Sequence, residues 1–206
     1  MYCPHCRCEF VGWTDRCPDC KTPLVENPSP VPDTEEVPLP YRELVDLVRE
    51  QGGQVEVALA TTEFGMDSRW GFPYFGYGFA WAKRMQGAFG HYAVDLSTTE
   101  VRRETRWRFP WLGYGYAWAK TMSGHIGGNE IELTVTKVSR DRGWTFPYFG
   151  QGFAWAQELS GHCGDEVEVN LVVTDVGRKK AWMFPPYLGR GHAWARAGDL
   201  TLQLAE

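Results

Sequence analysis

The sequence predicts a mainly β fold of tandem repeats that follows a small metal-binding module, a proline-rich linker and a short helix. The first observation behind this prediction is a motif, Trp-x-Phe-Pro-x-x-Gly-x-Gly-x-Ala-Trp-Ala, whose near-copies begin at Trp70, Trp107, Trp144 and Trp182. Those starts lie 37, 37 and 38 residues apart, and such a period indicates one supersecondary unit repeated in tandem. The second observation is an alternation of apolar and polar residues before each copy, which is typical of a half-buried strand. The third is that five of the six cysteines lie within the first 20 residues.

The composition narrows the range of functions. The chain has 206 residues, which is room for one ordinary domain and a small one, and its 10 tryptophans and 15% aromatic content predict an aromatic core. A net charge of -5 argues against a phosphate backbone as the dominant partner. We see neither an apolar run of about 18 residues nor the features of a secretory leader, so we expect a cytoplasmic protein without a membrane partner.

Two CxxC pairs near the N-terminus predict a zinc site. Cys3 and Cys6 form the first pair, Cys17 and Cys20 the second, and ten residues separate the pairs. Zn²⁺ prefers four ligands in a tetrahedron, and each tight turn can supply two thiolates. Residues 1–25 resemble the short, rubredoxin-like zinc ribbons at the ends of many small prokaryotic proteins, and the resemblance implies these four cysteines as the ligands.

The predicted metal site is structural. Four thiolates leave no open coordination position, so we expect the ion to hold a segment too short to build its own core. Iron in a rubredoxin-like site would use the same four thiolates and is the alternative cofactor. Cys8 would pair with Cys6 in a CxC turn of different geometry, and we place it outside the ligand set.

A linker and a helix are predicted between this module and the repeats. Residues 26–40 hold five prolines and four acidic residues, a composition that favours an extended, semi-rigid spacer. In the segment 41–52, Tyr41, Leu44, Val45 and Val48 share one face of a helix expected over 40–51. Gly52 and Gly53 end that helix, and we expect its apolar face to cap one end of the repeat array.

The repeat domain, residues 53–206, divides into the units 53–89, 90–127, 128–164 and 165–206. Each unit is predicted to contain an opening strand, a polar turn such as 139–143, a short Trp-x-Phe strand that ends at the proline, and an Ala-Trp-Ala segment. For the last segment we favour a strand over a short helix. The resulting architecture is an antiparallel meander of about twelve strands, closed as a barrel or as a four-fold toroid.

The motif also suggests a binding surface. The Trp and Phe residues shared by all copies are interpreted as core that locks one repeat to the next. The positions after the proline and between the glycines vary, as residues on an exposed loop do, and aromatic side chains there could stack on sugars, bases or prolines. The candidate surface comprises Tyr74, Tyr77, Trp111, Tyr114, Tyr148, Gln151, Tyr187 and Arg190.

No arrangement of residues in the sequence predicts catalysis. His125 and His162 share one repeat position and are interpreted as exposed turn residues, and Cys163 as a small buried hydrophobe. We therefore predict a non-enzymatic adaptor or scaffold that binds a protein partner through its repeats and zinc ribbon. One alternative is a multivalent glycan-binding module. The other is a nucleic-acid-binding protein that uses the ribbon and a basic edge of Arg102, Arg103, Arg106 and Arg108. The oligomeric state is not predicted.

Overall fold

Alternating apolar residues line the inside of a closed, eight-stranded antiparallel barrel in the computed structural model, which describes residues 38–71, 75–108, 112–145, 149–183 and 188–205. One helix, α1 (Tyr41–Glu50), precedes the barrel. The strands are β1 (Gln54–Gly71), β2 (Phe75–Phe89), β3 (Tyr92–Arg108), β4 (Leu112–Ile126), β5 (Asn129–Thr145), β6 (Phe149–Cys163), β7 (Val167–Met183) and β8 (Leu188–Leu204). The described residues belong to the unit Glu36–Glu206, so the predicted zinc ribbon and most of the linker lie outside them.

The prediction of about twelve strands is wrong, because the opening strand and the Trp-x-Phe strand of each unit form one continuous strand, such as β5 with Trp144 near its end. The expected polar turn at 139–143 lies inside β5, where Arg140 and Asp141 pair with Ala154 and Phe153 of β6. Pairing with β6 continues through this polar segment, and the register shifts around Lys137, just before it. The strand assignment of Ala-Trp-Ala is confirmed, and so are the mainly β class, the closed barrel and the short helix.

Consecutive strands form four long hairpins, β1–β2, β3–β4, β5–β6 and β7–β8, which we number 1 to 4. Pairing between hairpins is shorter and covers only one half of each strand, such as Tyr92–Ser97 of β3 with Arg84–Phe89 of β2. The barrel closes where Gln54–Ala60 of β1 pairs with Ala197–Gln203 of β8. Beyond this zone, which we call the barrel half, each hairpin continues into a motif half that carries the Gly-x-Gly and Ala-Trp-Ala residues.

Helix α1 covers the end of the barrel half. Leu44, Val45 and Val48 are buried in the same apolar core as the inward residues of the strands. Each such side chain stabilises the fold by about 1.5–3 kcal/mol when fully removed from water. The Leu39 amide also donates to the Gly127 carbonyl at 2.7 Å, and the Glu166 amide donates to the Tyr41 hydroxyl at 2.8 Å. The predicted apolar face of the helix is thus the face that packs on the barrel.

Within the described ranges, no helix has the length and apolar character that a membrane span requires.

Candidate functional site

The second glycine of each motif lies where β2, β4, β6 and β8 approach one another closely. A Cβ built on Gly78 would lie 2.6 Å from the Gly191 carbonyl oxygen, and one on Gly191 would lie 2.6 Å from that of Gly152. A Cβ built on Gly152 would lie 2.8 Å from the Gly115 carbonyl oxygen, and one built on Gly115 would lie 2.8 Å from the Gly78 carbonyl oxygen. The four contacts form a ring, so these glycines are required for close backbone approach rather than for a positive φ.

The residues that follow this glycine ring fill the interior of the motif half. Phe79, Tyr116, Phe153 and His192 are 1–5% exposed. Eight buried alanines of the Ala-Trp-Ala segments continue the packing: Ala80, Ala82, Ala117, Ala119, Ala154, Ala156, Ala193 and Ala195. Small side chains let four strands meet, and the space between the alanines and tryptophans is only about 10 Å³, roughly one water molecule. This part of the interior is therefore a packed core and not a ligand chamber.

The tryptophans of Ala-Trp-Ala lie at the contacts between successive hairpins, which we call seams. The Arg103 guanidinium lies 5.3 Å from the centre of the Trp81 ring, that of Arg140 lies 5.2 Å from Trp118, and Arg178 lies 5.3 Å from Trp155. In each pair the arginine belongs to the hairpin that follows the tryptophan in sequence. The motif tryptophans whose side chains are described are thus used to lock neighbouring hairpins together.

Each of these arginines also pairs with a carboxylate of the preceding hairpin. Arg103 reaches Asp67 at 3.5 Å, Arg140 reaches Glu104 at 3.1 Å, and Arg178 reaches Asp141 at 2.7 Å. Exposed ion pairs stabilise by about 0–1 kcal/mol each, but here the guanidinium also covers an aromatic face. These contacts were not predicted from the sequence. A search for charged residues at the 37-residue period would have found them.

The predicted binding surface is described only in part. Tyr74, Trp111, Tyr148 and Tyr187 lie outside the described residues, and Gln151 and Arg190 lie in β6 and β8 without described side chains. Tyr77 is half-buried, and burial raises the pKa of its hydroxyl. Tyr114 is 7% exposed, lies 6.4 Å from Tyr116 between ring centres, and has Arg142 over its ring. The Tyr114 ring therefore presents little surface to a ligand.

An open polar groove lies on the outer face of the barrel half. Its volume is about 920 Å³, and its wall includes Ser123 and His125 of β4, Glu130 and Glu132 of β5, and His162 of β6. Both histidines lie within strands, so the prediction that they occupy turns is wrong. In the strand register His125 is opposite Glu130, and His162 is opposite Glu132. The groove therefore combines carboxylates with imidazoles on three adjacent strands.

A hydrogen-bonded carboxylate stands beside this groove. Asp95 of β3 accepts from Arg84 Nε at 2.8 and 3.0 Å and from Gln86 Nε2 at 3.1 Å. Hydrogen bonding from the Arg84 guanidinium holds the pKa of Asp95 below its usual value, with further lowering by Gln86 and His125 against the opposing effect of burial. Asp95 lies opposite both Gln86 and His125 in the register, and so fixes charge at the groove edge.

The described residues offer no group of three or more His, Cys, Asp or Glu side chains arranged to hold a metal ion. Cys163 is fully buried in the apolar core and has no disulfide partner, which agrees with its interpretation as a small hydrophobe. Burial raises the pKa of the Cys163 thiol to about 11, so the reactive thiolate is scarce at neutral pH. The predicted ligands Cys3, Cys6, Cys17 and Cys20 lie outside the described residues.

No protein-family model matches this chain, and it matches none of the curated proteins and none of the solved structures with which it was compared.

Proposed function

We propose that the chain is a non-catalytic adaptor that binds macromolecular partners, with the barrel as one binding module and the N-terminal cysteine module as the other. The packed interior of the motif half carries this proposal. Aromatic residues that could have lined a chamber are instead stacked between hairpins, and a space of about 10 Å³ admits no organic ligand. Recognition is therefore assigned to the outer surface of a rigid barrel.

The outer groove supports a protein partner over the two alternatives. A wall of carboxylates, imidazoles, a serine and an asparagine can hydrogen-bond to backbone and polar side chains of a protein segment. A glycan would need exposed aromatic platforms, yet Tyr114 is buried. The basic edge proposed for nucleic acid is partly neutralised, because Arg103 pairs with Asp67 and Arg106 lies 3.8 Å from Glu104.

The N-terminal module is proposed to bind one Zn²⁺ through Cys3, Cys6, Cys17 and Cys20 and to dock a second macromolecule. Metal analysis of the full-length protein should give about one zinc per chain, since four thiolates complete a tetrahedral shell. Cys17→Ser should lose the zinc, and Cys8→Ser should keep it. Iron in place of zinc would change the cofactor and leave the ligand set intact. Retention of metal in the Cys17 variant would refute that set.

The adaptor proposal is tested by affinity capture with the tagged full-length chain, followed by cross-linking and mass spectrometry. The groove variant Glu130→Lys/Glu132→Lys reverses two exposed charges, and Glu56→Lys, an exposed site on β1, is its matched control. We expect specific proteins to be retained by the parent chain and by the Glu56 variant and to be depleted with the groove variant. Saturable glycan or nucleic-acid binding without any retained protein would contradict the proposal.

A further inference from the structure

The seam that closes the barrel differs from the other three. It joins hairpin 4 to hairpin 1, and we call it the closing seam. The other seams each carry an arginine that spans to a carboxylate and a tryptophan of the preceding hairpin. At the closing seam the position that corresponds to the arginine is Met66, and the position that corresponds to the carboxylate is Lys179. Both halves of the ion pair have therefore been replaced.

The closing seam is held by an aromatic stack instead. Phe64 of β1 stacks on Trp194 of β8, with ring centres 4.5 Å apart and planes 10° from parallel. Beneath that ring, a Cβ on Gly177 would lie 2.5 Å from the Trp194 indole, so the indole is pressed against β7. Trp194 is thereby fixed in place, and Phe64 covers the face that an arginine covers elsewhere.

This arrangement leaves apolar surface uncovered. Phe64 is 47% exposed and Met66 is 43% exposed, both on the outer part of β1. These two neighbouring apolar side chains offer a small nonpolar surface on which a partner side chain can pack. At the corresponding positions of β3, Val101 is half-buried and Arg103 is engaged with Asp67, so the same surface is closed there.

Lys179 supplies an unused positive charge. Its side chain is exposed, and no ion pair joins it to a carboxylate in the described part of the chain. At this position the other hairpins hold Asp67, Glu104 and Asp141, each paired with an arginine. None of the described ion pairs includes Lys179. The closing seam therefore lacks the carboxylate that is paired with a cation at each of the other three seams.

We infer that the closing seam docks a segment of a partner protein that carries an apolar side chain next to a carboxylate. The apolar side chain packs on Phe64 and Met66, and the carboxylate pairs with Lys179. Charge complementarity selects this occupant. The closing seam offers a cation and an apolar surface to a partner. At each of the other three seams the cation is paired with a carboxylate of the chain and covers the aromatic ring. The inference rests on the adaptor function proposed above and names one of the surfaces that would carry it.

The direct test uses two small probes, N-acetyl-Leu-Glu-amide and N-acetyl-Leu-Lys-amide. The full-length protein is labelled at its methionine methyl groups, and the Met66 signal is assigned with Met66→Leu. Met85 and Met122, each 1% exposed, serve as internal references. We expect the acidic probe to shift Met66 selectively and to bind about two- to fivefold more tightly than the basic probe, as an exposed ion pair allows.

Two variants establish the origin of that preference, with ligand-observed saturation transfer as the measurement. Lys179→Glu should reverse the preference for the acidic probe. Met66→Arg/Lys179→Asp should rebuild the ion pair of the other seams, keep or raise the melting temperature, and abolish binding. A loss of binding in a protein that is no less stable cannot be ascribed to unfolding.

Three results would overturn the inference. One is equal binding of the two probes, and another is a shift at the buried methionines without one at Met66. The third is a concentration-dependent dimer, abolished by Met66→Arg, which would make the seam a contact between copies of this chain. Affinity capture separates this inference from the adaptor function. If the parent and the Met66→Arg/Lys179→Asp variant retain the same proteins equally, docking at the seam is refuted and the adaptor function is not. Capture of no protein by the parent chain refutes the adaptor function.

Discussion

At the scale of single residues, the glycine ring shows why a motif position can be invariant among the four copies without binding anything. A Cβ built on any of the four ring glycines would lie 2.6–2.8 Å from a backbone carbonyl oxygen of another hairpin; these glycines are Gly78, Gly115, Gly152 and Gly191. Backbone cannot yield as a flexible side chain does, so a methyl group at this position forces strands apart. The requirement comes from packing between hairpins, which is why it repeats with the period of the sequence.

Gly152→Ala should therefore lower the free energy of unfolding by about 1–3 kcal/mol. Its Cβ would lie 2.8 Å from the Gly115 carbonyl oxygen and 3.1 Å from the Tyr116 ring. Denaturant titration of the full-length protein measures the change. Ala88→Ser, at an exposed position of β2, is the control and should change stability by less than about 0.5 kcal/mol. Equal stability of the Gly152 variant and the parent would contradict the close approach of β4 and β6.

Asp95 gives the protein a pH-dependent contribution to stability. Its pKa is lowered from 3.8 by hydrogen bonding to Arg84, so the folded state stabilises the ionised form of Asp95 relative to the unfolded state. The contribution is present above about pH 3.8 and is lost as the pH falls through the lower pKa of the folded protein.

Asp95→Asn should accordingly cost roughly 1–3 kcal/mol at neutral pH, since it replaces hydrogen bonds to a charged group. The difference from the parent should shrink as the pH falls below about 4, where the parent carboxylate becomes protonated. Thermal unfolding followed by circular dichroism between pH 2.5 and 7 measures this. Glu56→Gln, which replaces an exposed carboxylate of β1, is the matched control. A difference between Asp95→Asn and the parent that stays constant with pH would rule out the assigned contribution.

At the scale of elements, the hairpins are joined by two kinds of contact. In the barrel half, neighbouring hairpins share short ladders such as Thr121–Ile126 with Asn129–Thr134. In the motif half, the ladders found among the described residues run within hairpins, and contacts between hairpins come from side chains and from the close backbone approach at the glycine ring. Where the shared ladder ends, two threonine hydroxyl groups donate hydrogen bonds to the neighbouring hairpin. Thr98 donates to the Ala82 carbonyl at 2.5 Å, and Thr61 donates to the Ala195 carbonyl at 2.7 Å. These groups satisfy carbonyls that a continuing ladder would have used.

Arg140→Ala tests whether a seam contributes to stability. The guanidinium lies over Trp118 and pairs with Glu104 at 3.1 Å, so we expect a loss of about 0.5–2 kcal/mol. Arg69→Ala is the matched control, because Arg69 is exposed on β1 and makes no ion pair within the described residues. High salt should reduce the effect of Arg140→Ala only in part, since the contact with the indole persists. Two variants of identical stability would show that the seam arginine is merely a surface residue.

At the scale of the whole molecule, the barrel is a closed set of mutually dependent hairpins. Within the described residues, the inner face of each hairpin is buried by the other three and by α1, as the shared core of Leu133, Leu171, Leu202 and the helix residues shows. A single two-stranded hairpin in water is marginal at best. Stability should consequently appear only when the ring is complete.

An isolated peptide of residues 129–163, which is hairpin 3, should therefore be unfolded. We expect a random-coil circular dichroism spectrum and no cooperative thermal transition, while the full-length chain melts cooperatively. The tryptophan emission of the peptide should be that of a solvated indole, because Arg178 and the neighbouring hairpins are missing. Native-like β structure in the free peptide would contradict the mutual dependence of the hairpins.

Local patterns in the sequence determined the mainly β class, the strand character of Ala-Trp-Ala, the apolar face of α1 and the burial of Cys163. Each of these depends on alternation, helical periodicity or side-chain hydrophobicity within a short stretch. A pattern of that kind reports which face of an element is buried. It carries no information about which element covers that face.

The tertiary structure alone decided that each unit contributes two long strands, that His125 and His162 lie on strands beside carboxylates, and that the arginines cross the seams. It also decided that the closing seam is unlike the others, with Met66 and Lys179 where Arg103 and Asp67 pair elsewhere. These features join residues far apart in the chain. They arise from register and ring closure, which bring such residues together only after the whole barrel has formed.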